Sequence, residues 1–139
     1  MPIELIPLAT ATLDLVEPIM IPNTPLGTRA IVEVRNAVYT GERLNARQTG
    51  IAADWLHIGT DGSGAMDIRL TLETDDGALV YVTYLGRIDV SGGLGAAPLY
   101  TSPLFETGDE RYAWLNKIQA IAKGTLEGLT LTYEIYECR

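Results

Sequence analysis

One stretch of the sequence, residues 67–85, predicts a β-hairpin and limits what the rest of the chain can form. Two runs rich in β-branched, leucine and aromatic residues flank Asp75-Asp76-Gly77, and an Asp-Gly step in that setting is a strong hairpin signal. A two-residue loop would pair Leu72 with Tyr81. A three-residue loop with Gly77 left-handed pairs Thr74 with Ala78 instead. We prefer this second register because it collects apolar residues on one face, namely Ile68, Leu70, Leu72, Val80, Val82 and Tyr84.

Other segments carry the alternation or the residue types of strands. They are residues 5–16, 28–39, 43–49, 52–58, 99–106 and 129–137. Seven to nine strands joined by short turns, with no convincing βαβ unit, indicate an all-β sandwich or barrel. We favour a small antiparallel β-barrel of about eight strands, because continuous hairpins can close without leaving strand edges. Such a barrel encloses a side-chain core or one small-ligand cavity.

Several segments leave alternatives open. Residues 112–122 fit a helix of about three turns or one face of a strand.

Other connecting segments also carry local expectations. The proline-rich connector at 17–25 cannot pair as a central strand, and its apolar content predicts that it lies against the body of the protein. Gly124 and Gly128 are expected to bracket a turn. The glycine-rich segment 91–98 is either a plain hairpin loop or a mobile lid.

Size and charge exclude several classes of function. The 139 residues predict one domain, 1–139, with a formal net charge of −8. Such a surface repels phosphate backbones and anionic lipids, so we expect neither nucleic acid nor a membrane as a partner. The start of the chain lacks the basic region of a signal peptide, and the single Cys138 fits a reduced thiol. We therefore expect a cytoplasmic protein.

The sequence gives no support for a metal site, a phosphate-binding loop or a Ser-His-Asp catalytic triad. His57 is the only histidine and has no cysteine beside it, so we expect no metal site. The segment Gly93-Leu94-Gly95 lacks a following helix and a nearby lysine, so it is not a phosphate cradle. No cofactor is predicted.

Polar residues embedded in the strands are the candidates for chemistry. If they face solvent they have no special role, but inside a barrel a carboxylate is desolvated, its pKa rises, and it can act as an acid or base near neutral pH. Asp54 has apolar neighbours, and Arg69 could supply its charge partner, either functionally or as a structural salt bridge. The predicted catalytic residues are Asp54, Glu106 and Arg69, and the predicted ligand-binding residues are Arg29, Tyr84, Trp114 and Asn116.

Seven short motifs, in this order and spacing, resemble one family. They are Thr24-Pro25-Leu26-Gly27-Thr28-Arg29, Ala53-Asp54-Trp55, Asp61-Gly62, Thr74-Asp75-Asp76-Gly77-Ala78, Phe105-Glu106-Thr107-Gly108, Arg111-Tyr112-Ala113-Trp114-Leu115-Asn116 and Tyr133-Glu134-Ile135-Tyr136. The family is the bacterial and fungal domain of unknown function 3237, and the similarity covers about residues 24–137. The resemblance implies a small antiparallel barrel, like those of lipocalins and allene oxide cyclases, with a strand at residues 114–122. It implies no reaction.

Two hypotheses of function follow. The first is a barrel enzyme for a small apolar or aromatic molecule, a cofactor-independent cyclase, isomerase or lyase. In it Asp54 or Glu106 is the acid–base group, Arg69 polarises an oxygen, and Tyr84 and Trp114 form the walls. The second is a non-catalytic small-molecule binder or a structural homo-oligomer. Apolar residues on both faces of residues 78–85 predict a homo-oligomer in either case.

Overall fold

The hairpin predicted from the sequence is present, in the predicted register. In the computed structural model, which describes all 139 residues, β6 (Ser63–Thr74) pairs antiparallel with β7 (Leu79–Asp89). The Thr74 N–H donates to the Ala78 carbonyl at 2.8 Å, and Gly77 adopts the left-handed φ of +93° that the three-residue loop requires. The six apolar residues expected on one face are all buried.

Eight strands continue this pairing into a closed antiparallel barrel, which confirms the predicted fold. Besides β6 and β7, the strands of the barrel are β1 (Leu5–Leu15), β3 (Gly27–Thr40), β5 (Ala53–Ile58), β8 (Leu99–Thr101), β10 (Ala120–Glu127) and β11 (Thr130–Cys138). The ring runs β1–β3–β5–β6–β7–β8–β10–β11 and returns to β1. Three short strands lie outside the ring: β2 (Ile19–Thr24), β4 (Ala46–Gln48) and β9 (Leu104–Glu106). No helix of the fold has the length and apolar character needed to cross a bilayer.

Alternation along each strand separates the barrel interior from the outside. In β11, Leu131, Tyr133 and Ile135 are buried, while the residues between them are exposed. Inward side chains from every wall merge into one apolar core. Burying this area is the main stabilising contribution to the fold.

A short 3-10 helix, Glu110–Lys117, closes one end of the barrel, which we call the helix end. Asp109 caps it by accepting the Arg111 N–H on Oδ1 at 2.9 Å, and Leu115 is completely buried in the core. The strand that the resemblance implied at residues 114–122 is therefore wrong before Ala120. The cap and the inward Leu115 favour a helical turn there, and β10 begins only after it.

Two other local expectations need correction. The proline-rich connector forms β2, which pairs with β3 through its backbone, and Pro22 lies where the register of this pairing shifts. Its large apolar side chains Ile19, Met20 and Ile21 stay exposed and are not buried against the body of the protein, whereas Pro18 lies in the lining of the cavity. Gly124 lies in the middle of β10 and is not part of a turn, whereas Gly128, with a φ of +61°, forms the β10–β11 turn.

Candidate functional site

The barrel holds an apolar cavity of about 380 Å³ away from the helix end. We call the end where it opens the cavity end. Its lining is Leu13, Leu15, Glu17, Pro18, Ala30, Val32, Val34, Asp54, Leu56, Ile58, Met66, Ile68, Tyr84, Ile88, Leu94, Leu99, Leu126, Gly128, Leu129, Leu131 and Tyr133. Glu17, Leu94 and Leu129 are exposed and mark the opening. Glu17 and Asp54 are the only charged residues of the lining.

Asp54 and Tyr84 stand in one row across three neighbouring strands of the cavity wall. Asp54 on β5 is in register with Ile68 on β6, which is in register with Tyr84 on β7. Residues in register across a sheet point to the same face, and Ile68 is buried in the core. The carboxyl group and the phenol therefore both face the interior.

An interruption in the sheet holds the Asp54 carboxylate in place. The β5–β6 pairing is broken at Trp55 and Leu56, and the Asp67 N–H donates to Asp54 Oδ1 at 3.0 Å. Asp54 is only 7% exposed and forms no ion pair. Buried carboxylates usually have a cationic partner, so an unpaired one on a cavity wall is unusual.

Burial changes the acid–base behaviour of Asp54. The pKa of Asp54 is raised from 3.8 to about 6, chiefly by loss of hydration and to a smaller extent by the nearby charge of Asp67. The Asp67 N–H and the Arg29 charge act in the lowering direction and are outweighed. A carboxyl group with this pKa is mostly ionised at neutral pH but is readily protonated. Such a group can accept a proton from a bound molecule and return it.

Two tyrosines complete the polar part of the lining. The Tyr84 and Tyr133 rings meet edge to face, with centroids 5.7 Å apart and planes at 85°. Burial raises the pKa of both phenols above the usual value, and the Asp54 charge adds to this, so both are neutral at physiological pH. The Tyr133 hydroxyl is fully buried, and the Tyr84 side chain is its polar neighbour.

Gly124 makes room for the Tyr133 ring. The two residues are in register on β10 and β11, and a Cβ built on Gly124 would lie 2.7 Å from Tyr133 Cε1. Any larger residue would therefore displace the ring. This mid-strand glycine leaves space for both Leu99 and the Tyr133 ring.

Arg69 and Arg29 lie on the outside of the barrel, so the predicted Asp54–Arg69 pair is not formed. The Arg69 side chain is 60% exposed and approaches Asp67 at 4.0 Å. Because Arg69 follows the inward Ile68, strand alternation turns it outward. Arg29 donates from Nη1 to the Trp55 carbonyl at 3.0 Å and does not line the cavity.

Glu106, Trp114 and Asn116 belong to the helix end, and none of them lines the cavity. Glu106 is exposed on β9. Trp114 is therefore not a cavity wall; it packs under the Arg43 guanidinium, 5.1 Å from the ring centroid. The Asn116 side chain accepts the Thr107 N–H at 2.8 Å and donates to the Thr107 carbonyl at 2.9 Å, which ties the helix to the preceding loop.

The predicted catalytic and ligand-binding residues do not include Tyr133, although it is one of the polar residues embedded in the predicted strands, and they do not include the residues of the opening. Tyr133 was detectable, because it alternates with Leu131 and Ile135 in β11 and so has to face inward. The opening could not be predicted from the sequence. It is formed by the connector at Glu17, the loop at Leu94 and the β10–β11 turn, which are far apart in the chain. The loop carrying Leu94 joins the paired strands β7 and β8, as the hairpin-loop alternative expects, and the mobile lid stays a prediction.

Comparison with known proteins confirms the family resemblance. A family model described as protein of unknown function (DUF3237) matches residues 3–138. A UPF0311 protein of Rhodopseudomonas palustris is 28% identical over 101 residues, which cover 64% of this chain and 66% of the relative, slightly less than two thirds of its length.

Solved structures share the barrel over its whole length. A β-barrel-like protein from Acinetobacter baumannii has a TM-score of 0.89 at 28% identity, covering 100% of this chain and 98% of that one. An enzyme from Penicillium herquei has a TM-score of 0.77 at 22% identity, covering 100% of this chain and 96% of that one. At this low identity the second likeness shows the fold alone.

Proposed function

We propose that this chain, which belongs to the DUF3237 family of proteins of unknown function, binds an uncharged apolar small molecule in its barrel and transfers a proton on it through Asp54. The observation that carries the proposal is the Asp54 carboxyl, buried without a cation on the wall of an apolar cavity. Perturbed carboxyl groups in clefts are typical of functional sites. That a barrel of the same fold from Penicillium herquei is described as an enzyme supports catalysis as the hypothesis to test.

The cavity favours a neutral ligand. A volume of about 380 Å³ suits a small organic molecule. The two charged residues of the lining, Asp54 and Glu17, are both acidic, so an anionic ligand is repelled at the opening and in the interior. Apolar side chains on every wall favour a hydrocarbon ring system.

The chemistry follows from a single carboxylate that can take and return a proton. Asp54 removes a proton from a carbon beside an electron-withdrawing group, and the C–H electron pair moves into that group. Protonated Asp54 then returns the proton. Return to a different carbon gives an isomerase, loss of a leaving group gives a lyase, and attack by the carbanion within the same molecule gives a cyclase.

Proton exchange tests this proposal without knowledge of the natural substrate. The probe is 2-tetralone, a neutral two-ring ketone, in deuterated buffer, and the measurement is deuterium uptake beside the carbonyl by NMR. We expect the wild-type protein to accelerate the uptake and Asp54→Asn to reduce the acceleration by about 100-fold or more. Glu106→Gln, a matched change on the outer surface, should leave it unchanged.

The outcomes separate the hypotheses. Acceleration that survives in Asp54→Asn contradicts the proposed role of Asp54. Binding of the probe in the cavity with no acceleration in the wild-type protein favours the non-catalytic binder. The homo-oligomer stays a prediction, supported by the exposed apolar residues Ile19, Ile51 and Trp55, and the mass in solution tests it.

A further inference from the structure

Four neighbouring strands of the barrel, β7, β8, β10 and β11, carry an outward row of side chains with a definite order of charge. Arg87 on β7 is in register with Tyr100 on β8, Tyr100 with Lys123 on β10, and Lys123 with Glu134 on β11. All four residues are exposed. Across the strands the order is therefore cation, aromatic ring, cation, anion.

A second outward row on the same strands is mostly apolar. It contains Leu85, Ser102, Ile121 and Tyr136: the Ser102 N–H donates to the Leu85 carbonyl at 3.0 Å, and Ile121 is in register with Tyr136. Leu85 is 63% exposed and Ile121 37%. Both rows border a surface groove of about 750 Å³. We call the two rows together the β8 face. Exposed apolar residues gathered in one patch are typical of a contact surface.

The charges of the β8 face have no ion-pair partner within the chain. Arg87, Lys123 and Glu134 take part in none of its ion pairs. Lys123 Nζ lies 6.0 Å from the centroid of the Tyr100 ring, and Glu134 accepts the Tyr136 hydroxyl at 3.1 Å. The chain has 18 acidic and 10 basic residues, whereas this row has two cations and one anion. Two copies can therefore approach each other here without the repulsion that the rest of the surface exerts.

We propose that the β8 face is an interface between two copies of this chain, related by a twofold axis that runs along the strands between β8 and β10. Such an axis reverses each row when one face is laid on the other. Arg87 of one copy then lies opposite Glu134 of the second copy, and Tyr100 lies opposite Lys123. In the second row Leu85 lies opposite Tyr136. The charge order of the row is thus complementary to itself.

The two contacts of the charged row form together, because their members are equally far from the axis. Arg87 and Glu134 are each one and a half strand spacings from it, and Tyr100 and Lys123 are each half a spacing. An Arg–carboxylate pair and a cation over an aromatic ring are both favourable across an interface. By symmetry each contact occurs twice in the dimer.

The charge order favours this face over the exposed apolar residues around Trp55. On that side Glu33 is already paired with Arg35 at 2.8 Å, and Arg69 lies 4.0 Å from Asp67. Charges that have partners within the chain gain less from a second copy. The inference goes beyond the proposed function and does not depend on it, since no residue of the β8 face lines the cavity.

Charge exchange tests the interface, with the dissociation constant of the dimer measured by sedimentation equilibrium. We expect the wild-type protein to form a species of twice the 15.1 kDa of one chain. Arg87→Glu places two carboxylates opposite each other and Glu134→Arg places two guanidinium groups opposite each other, so each should weaken the dimer by about 100-fold or more. The double variant Arg87→Glu/Glu134→Arg restores the pairing with the signs exchanged and should recover the dimer. Three strand spacings, about 14 Å, separate these two residues within one chain, so the recovery has to arise between copies.

Lys117→Glu is the matched control, because it reverses an exposed charge in the helix and should leave the dissociation constant unchanged. Circular dichroism shows which variants are folded; if one single variant is not, the other and the double variant still decide the test. Wild-type protein that stays a monomer at about 1 mM overturns the proposal and leaves the face to a different partner. A dimer that tolerates Arg87→Glu, or one that the double variant does not recover, overturns it as well. A dimer lost in Ile51→Lys and kept in Arg87→Glu would place the contact on the other side of the barrel.

Discussion

The barrel buries two carboxylates and surrounds them in opposite ways. Glu137, at the helix end, is 5% exposed and accepts a hydrogen bond from Arg139 Nε at 2.6 Å, while Arg43 Nη1 lies 3.5 Å from the same oxygen. Asp54, on the cavity wall, is equally buried and has one backbone N–H as its only partner. The same fold therefore pairs one buried carboxylate with two arginines and leaves the other buried without a cation.

The difference separates a structural end from a functional end. Around Glu137 the Arg43 side chain also covers Trp114 and donates to the Pro7 carbonyl, which joins the helix to two walls of the barrel. Around Asp54 no cation pairs with the carboxylate, and the residue lines the cavity. Unpaired buried groups lower stability, and proteins retain them where binding or chemistry uses them.

The largest expected effect is a gain in stability on replacing Asp54 by Asn. The folded-state pKa of Asp54 is raised from 3.8 to about 6, so the folded protein holds a proton that the unfolded chain has already released. Stability therefore falls as pH rises from about 4 to about 6, by about 3 kcal/mol in total for such a shift. Asn does not titrate and can still accept the Asp67 N–H. Asp54→Asn should thus be more stable by up to about this amount above pH 6.

Urea denaturation at several pH values measures this effect. The advantage of Asp54→Asn should disappear below about pH 3, where both the folded and the unfolded wild-type protein carry the proton. A variant that is less stable than the wild-type protein at pH 8 would show that Asp54 has a partner in solution. The contrast with Glu137 would then fail.

A smaller effect of opposite sign is expected at the helix end. Glu137→Gln removes the charge that holds Arg139 and Arg43, and we expect the free energy of unfolding to fall by about 2 kcal/mol, the usual value for hydrogen bonds to charged groups. The side chain keeps nearly the same volume, so packing is unchanged. Binding of 2-tetralone should be the same as in the wild-type protein, because Glu137 does not line the cavity.

Glu106→Gln is the matched control for this change, since Glu106 is exposed and forms no ion pair. Its stability should stay within about 0.5 kcal/mol of the wild-type value. If Glu137→Gln also leaves the free energy of unfolding unchanged, the ion pairs at the helix end do not stabilise the barrel. Weakened ligand binding in Glu137→Gln would mean that the two ends are coupled.

The fold was predictable because its information is local. The Asp75-Asp76-Gly77 turn fixes the hairpin register, and alternation then assigns each side chain of β6 and β7 to the inside or the outside. The same register already excluded Arg69 from the interior, because Ile68 beside it faces inward. The prediction that Arg69 pairs with Asp54 was wrong because strand alternation turns Arg69 outward. That alternation was already visible in the sequence.

The composition of the site was predictable only in part. Asp54 stands out among apolar neighbours, and Tyr84 follows from the hairpin register. Trp114 and Asn116 could not be assigned to an end of the barrel, because the Asp109 cap and the insertion of Leu115 depend on contacts between distant segments. Propensity within residues 112–122 did not decide between helix and strand, and tertiary packing decided it.

The most direct test of the account is the ionisation of Asp54 in the ligand-free protein. Carboxyl carbons of aspartate labelled with ¹³C can be followed by NMR from pH 3 to 8, with Asp54→Asn to assign the resonance. The account predicts a midpoint near 6 for Asp54. A midpoint near 3.8 would show that Asp54 is hydrated or paired, and would contradict its role as the proton-transfer group of the cavity.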